Sequence, residues 1–285
     1  MPELHIVDSH VHLWDPTRFR MPWLDREPLL NRPFGLADYR EQTEGIAVDA
    51  IVYLQVEVAT AYALLEARRA AELAREDPRI QAIVAWAPVE YGEQVRAFLD
   101  AVVAVDPRIK GVRRLLQYEP DPEFLLQPGF VRGVQMLPEY GLSFDLCIAH
   151  RQLRNAIELA RRCPETSFIL DHLARPDIKD GVLHPWWDEI RELARLPNVV
   201  AKVSGAVSMA DHQRWRIDDL APYVGRVLEV FGEDRLLFGS DWPVVLRASS
   251  YRRWCETVEA LTEHLPPTAK RKLWVENARR SYRLP

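Results

Sequence analysis

The segment His5-Ile6-Val7-Asp8-Ser9-His10-Val11-His12 sets the pattern for the whole chain. A short apolar run at 5–8 leads straight into two histidines spaced i and i+2. In extended backbone such residues share a face, so His10 and His12 can point together past the end of a strand. Seven more short, β-branched or apolar runs follow, at 50–56, 81–85, 109–115, 142–148, 167–171, 198–203 and 235–239. Between them lie stretches of good helix formers, roughly 61–76, 92–105, 128–140, 151–163, 185–196 and 217–231. Two further helical stretches, 251–264 and 268–281, close the chain. Asp77-Pro78, Asp106-Pro107, Cys163-Pro164 and Leu196-Pro197 each stand just before a strand, where proline ends a helix by lacking an N–H and restricting the residue before it.

Strict alternation of strands and helices is the signature of a parallel sheet covered by helices. Eight strands favour a closed (β/α)8 TIM-type barrel over a doubly wound open sheet with five or six strands. The 285 residues suit one such barrel, so a single domain spanning 1–285 is expected. The segment 13–33 breaks the grammar. It holds Trp14, Trp23 and four prolines without a clear period, and is expected to form an ordered lid over the catalytic face.

Bulk properties narrow the function. Lys plus Arg is 37 and Asp plus Glu 42, a net charge of −5 without basic clusters, which argues against a nucleic-acid surface. No apolar stretch is long enough to span a bilayer, and the N-terminus lacks the features of a signal peptide. Cys147, Cys163 and Cys255, with no CxxC spacing, speak for a reducing compartment. A cytoplasmic enzyme, monomer or homodimer, acting on a small molecule is expected.

Barrel enzymes carry their chemistry at the C-terminal ends of the strands. Strand one ends in His10 and His12, strand six in Asp171-His172, and strand eight in Gly239-Ser240-Asp241-Trp242. Two imidazoles and a carboxylate suit a divalent cation such as zinc, and Asp241 can also take a proton from water. The competing assignments are a hydrogen-bonding histidine pair, a capped surface histidine, and an aspartate serving as a helix N-cap. Strand two offers Gln55 and Glu57. Strand four offers Arg113 or Arg114 on opposite faces, with Arg113 taken as inward. Strand five offers Asp145, Cys147 and, just beyond, His150. Strand seven offers Lys202 and Ser204. A lysine in the apolar run VVAKVSG needs a partner if buried, unless its head reaches solvent at the rim.

The opening IVDSHVHLWDP, the strand-six DHLARP and the strand-eight LLFGSDWP resemble the amidohydrolase superfamily. More narrowly, they resemble the amidohydrolase-2 group that includes sugar lactonases such as L-fuconolactonase and L-rhamnonolactonase. The resemblance runs nearly end to end. It implies a distorted (β/α)8 barrel, with His10 and His12 in the first-strand metal motif, His172 as the strand-six histidine and Asp241 as the strand-eight aspartate. Strand four reads GVRRLL, without the lysine or glutamate that bridges two metals in many members, so one divalent ion, zinc in first place, is expected at most. The strand-five position falls to Cys147 or His150. The expected reaction is hydrolysis of an aldonolactone. Asp241 activates water, and the oxyanion is stabilised by a metal on His10 and His12 or, without one, by His172 and Arg113. Trp14, Glu57, His150, Lys202 and Trp242 are expected to bind the sugar. A metal-dependent non-oxidative decarboxylase is the runner-up, with Arg113 holding a substrate carboxylate. A non-catalytic carbohydrate-binding barrel is the third reading.

Overall fold

The structure, a computed structural model, describes residues 5–285. Eight parallel strands form one sheet in sequential order: β1 His5–Val11, β2 Ala47–Leu54, β3 Ile80–Ala85, β4 Ile109–Val112, β5 Ser143–Leu146, β6 Phe168–Leu170, β7 Val199–Val203 and β8 Leu236–Phe238. The sheet curls until its ends meet. His12 N–H donates to the Trp242 carbonyl at 2.8 Å and Asp241 N–H to the His10 carbonyl at 2.9 Å. The two ends therefore join through the same residues that carry the candidate chemistry. The strands are buried on both faces and mostly apolar, as a parallel sheet covered on both sides requires.

The outer helices are α1 Leu36–Gln42, α2 Ala63–Glu76, α3 Arg96–Val103, α4 Pro128–Met136, α5 Leu153–Arg162, α6 Trp186–Ala194, α7 Ile217–Phe231 and α8 Tyr251–Leu261. α5 shows why they lie where they do: Leu153, Ala156, Ile157 and Ala160 follow the helical repeat and are all buried. The repeated Asp-Pro-Arg breaks also have a physical basis. Asp77 accepts from the Arg79 backbone N–H at 3.2 Å, and Asp106 from the Arg108 N–H at 3.0 Å, so each carboxylate closes the turn that feeds the next strand. Residues 267–282 form a last helical stretch, interrupted by a π-helical turn at Lys272–Glu276, and set Tyr282 against the barrel floor.

Several boundaries differ from those read in the sequence. β1 runs on through His10, and β2 begins and ends earlier, so Gln55 and Glu57 lie beyond its end. The short helix α1 was not anticipated. The segment 13–33 is ordered: Trp14 pairs with Phe34 in an isolated bridge, and Pro22–Arg26 forms a 3-10 turn. No helix among the described residues is long and apolar enough to cross a membrane.

Candidate active site

Four side chains converge where the barrel ends meet. His10 Nε2 lies 3.1 Å from His12 Nε2, and Asp241 Oδ1 is 3.6, 3.5 and 3.8 Å from the Nε2 atoms of His10, His12 and His172. All four residues are buried. Each ring is fixed from behind. His12 Nδ1 faces the Leu54 carbonyl at 2.9 Å; a carbonyl only accepts, so Nδ1 carries the proton and Nε2 presents a lone pair. His10 Nδ1 lies 3.3 Å from the Asp171 carboxylate and 3.1 Å from the Lys202 ammonium, an acceptor and a donor that call for opposite tautomers. His172 Nδ1 is 2.9 Å from Ser204 Oγ. Asp8 turns away from this cluster. It accepts from Ser240 N–H at 2.8 Å and from the Tyr39 and Tyr251 hydroxyls at 3.0 and 3.1 Å, tying β1 to the residues after β8.

The protonation states suit a cation. Burial pushes His10 and His12 down and His172 down to about 4, so the rings are neutral at pH 7. Burial works to raise the Asp241 carboxyl, but the neighbouring His172, His12 and His10 outweigh it and hold the group well below the usual carboxylate range. Two facing imidazole nitrogens and a carboxylate oxygen, with His12 offering only a lone pair, are the donor chemistry of a divalent metal site. Among the described residues a second group, His10, Asp171 and His172, also brings donor atoms together.

Backbone strain collects here as well. Outside glycine, φ is positive at Glu57, at the four consecutive residues His172 to Arg175, at Asp241 and at Arg283. All but Arg283 lie around this cavity or in the turn that shapes it. Left-handed backbone costs roughly 1–2 kcal/mol per non-glycine residue, and such outliers concentrate at functional sites. Gly205 lets the His172 turn pack closely, since a Cβ there would lie 2.7 Å from His172 Nδ1. Gly239 does the same beneath His10.

Above the cluster opens a cavity of about 390 Å³. His12, His172, Asp241 and Arg113 line it, with Trp14, Trp23 and Glu57 on the walls. Arg113 is the inward arginine: Nη2 donates to the Gln55 carbonyl at 2.5 Å, and Nη1 sits 3.3 Å from His10 Nε2. Arg114 lines the wall, paired to Glu90 and Glu119. Burial raises the Glu57 carboxyl, which takes a 2.9 Å hydrogen bond from Gln55 Nε2.

Three expected sugar contacts are corrected by the geometry. Lys202 does not reach the cavity; it is fully buried between Asp145 and Asp171. Trp242 is fully buried too, edge-on to Phe34 and Tyr39. His150 sits in a 3-10 turn with Nδ1 3.0 Å from the Arg175 carbonyl, off the cavity lining. Cys147 therefore takes the strand-five position at the cavity, its thiol pushed up to about 12 by burial and the nearby Asp171. Arg175 was not named from sequence, and Trp23 and Asp171 were named only as parts of the 13–33 segment and of the strand-six end. Arg175 and Asp171 fall inside the quoted DHLARP motif, which was the available signal.

Residues 7–284 match the amidohydrolase family. This chain belongs to that family. An L-fucono-1,5-lactonase of Burkholderia multivorans is 33% identical over 98% of this amidohydrolase and 96% of its own length, and one from Burkholderia ambifaria is 28% identical over 98% and 95%. A crystal structure of an amidohydrolase from Burkholderia multivorans with bound zinc superposes with a TM-score of 0.88 at 32% identity, covering 98% of this chain and 99% of that one.

Proposed function

We propose that this amidohydrolase opens a sugar-acid lactone of the L-fuconolactone or L-rhamnonolactone kind by water attack. The observation that carries the reading is end-to-end similarity at 33% identity to an L-fucono-1,5-lactonase, together with an ionised carboxylate and neutral imidazoles at the floor of a sugar-sized cavity.

The residues divide the work as follows. Asp241, ionised at neutral pH, accepts a proton from water as the water oxygen bonds to the lactone carbonyl carbon. The Arg113 guanidinium and His172 face the carbonyl oxygen as it gains charge; preorganised donors of this kind are worth about 10²–10³ in rate each. When the bond from that carbon to the ring oxygen breaks, Asp241 returns its proton to the departing alkoxide. Trp14 and Trp23 cover the apolar face of the sugar, and Glu57 accepts from its hydroxyls. His10, His12 and Asp241, with His172 beside them, would hold one divalent ion, zinc in first place, which supplies Lewis acidity at the carbonyl and lowers the pKa of water.

A panel of aldonolactones followed with a pH indicator tests this, with and without added zinc. The expected result is acid release from deoxyhexonolactones with kcat on the order of 1–10³ s⁻¹. Absence of turnover on every lactone, or CO2 release from aromatic acids instead, would overturn it.

A further inference from the structure

Beneath the cavity-facing donors, the barrel interior holds a charged layer for which the proposed reaction gives no role. Lys202 Nζ donates to Asp145 Oδ2 at 2.6 Å and lies 2.9 Å from Asp171 Oδ1 and 3.1 Å from His10 Nδ1. Asp145 takes a second hydrogen bond at 2.5 Å from Tyr282, which closes the barrel floor. None of Lys202, Asp145, Asp171 and His10 is exposed. Asp145 Oδ1 is buried without a hydrogen-bond partner, so the layer carries more acceptor capacity than one ammonium fills.

The position of Nζ gives this layer its meaning. The group His10, Asp171 and His172 has the donor atoms of a second metal site, sharing His10 with the first. The ammonium stands within hydrogen-bonding distance of two members of that group. We propose that Lys202 fills the place of a second divalent cation, so that the centre takes one metal ion and one fixed ammonium. Three features fit. Lysine is a compact point charge whose protons can be shared between two carboxylates, as a small cation would be. A divalent ion at Asp171 would lie only a few ångströms from Nζ, and like charges that close in a dry interior repel strongly. Asp145 and Asp171, from β5 and from the end of β6, would otherwise be two buried carboxylates with only the Arg113 guanidinium, 3.5 Å from Asp171 Oδ2, as a counter-charge. The inference rests on the metal reading of His10, His12 and Asp241 but not on the lactone.

Metal counting on Lys202→Ala, expressed and dialysed with zinc chloride, is the test, with elemental analysis of the wild type alongside. The wild type is expected to saturate at one zinc per chain and Lys202→Ala at one more than the wild type. Zinc at about a hundredfold its Kd is expected to raise the Tm of the variant by roughly 5–10 °C beyond any rise in the wild type. Cobalt(II) in place of zinc is expected to add a second set of visible absorption bands in the variant only. If the wild type binds no zinc, the metal reading fails, yet a gain of one ion in Lys202→Ala still supports the displaced cation. Equal stoichiometry in the two proteins overturns the proposal, as does a second buried ion in the wild type. A Lys202→Ala chain that stays insoluble with zinc present also overturns it, because the ion would then fail to replace the ammonium.

Discussion

Gly205→Ala offers a measurement that separates backbone strain from damage to the site. Gly205 has φ +67, and an added Cβ would lie 2.7 Å from His172 Nδ1, 2.8 Å from Cγ and 2.9 Å from Cβ. Ordinary contact begins near 3.4 Å, so the imidazole must retreat by about 0.7 Å. It has nowhere easy to go: the His10 ring lies 4.4 Å away, centroid to centroid, and Asp241 Oδ1 is 3.8 Å from Nε2. Two costs are therefore expected. The left-handed backbone costs about 1–2 kcal/mol of stability, and a displacement approaching 1 Å costs roughly 10–100-fold in turnover. Gly141→Ala and Gly181→Ala are the controls, since they share the positive φ, at +66 and +67, with nothing within 4 Å of the new methyl. All three variants should lose similar stability in thermal unfolding, with Gly205→Ala losing somewhat more. Only Gly205→Ala should lose kcat on the lactone. Wild-type kcat in Gly205→Ala, with its stability lowered no more than the controls, refutes the claim that this glycine positions His172.

Other substitutions probe the same framework. Glu66 is buried; Oε1 accepts from Val56 N–H and the Tyr53 hydroxyl, Oε2 has no partner, and burial pushes the carboxyl up to about 7 from an ordinary 4.5. A raised folded pKa means the folded protein keeps a proton that the unfolded chain has released. The stabilisation is therefore complete below about pH 4.5 and lost as pH rises through about 7, with a ceiling on the order of 3 kcal/mol. Denaturant melts from pH 4.5 to 8 should show wild type losing stability relative to Glu66→Gln; parallel curves would contradict the assignment. Cys147 is neutral at working pH, so Cys147→Ser should keep kcat within about threefold and iodoacetamide at pH 7.5 should leave activity intact. A 100-fold loss would make the thiol a participant.

The elements legible in the sequence were those with a period and a boundary. The apolar strand runs and the Asp-Pro breaks reported the alternation because parallel strands buried on both faces need continuous apolar sequence. His10, His12, His172 and Asp241 were legible because barrel geometry gives strand ends a shared location. Helix α1 was missed because seven residues after Pro33-Phe34-Gly35 hold too few turns for a clear repeat. Lys202 shows the limit most clearly. Its need for a partner follows from the run VVAKVSG, but Asp145 and Asp171 lie 57 and 31 positions away in sequence, and only closure of the barrel brings them together. Trp242 and His150 were placed in the site by proximity to strand ends. Trp242 instead packs against Phe34 and Tyr39, while β5 stops at Leu146 and His150 falls in the next turn.

Turnover of Asp241→Asn on L-fucono-1,5-lactone tests the central claim most directly. The substitution keeps the shape of the side chain and removes both the proton acceptor and the negative charge that faces the three imidazoles. The account predicts a kcat lower by at least about 10³-fold, with unchanged circular dichroism and binding of the open-chain acid retained within roughly tenfold. Near-wild-type turnover in a folded Asp241→Asn protein would contradict it.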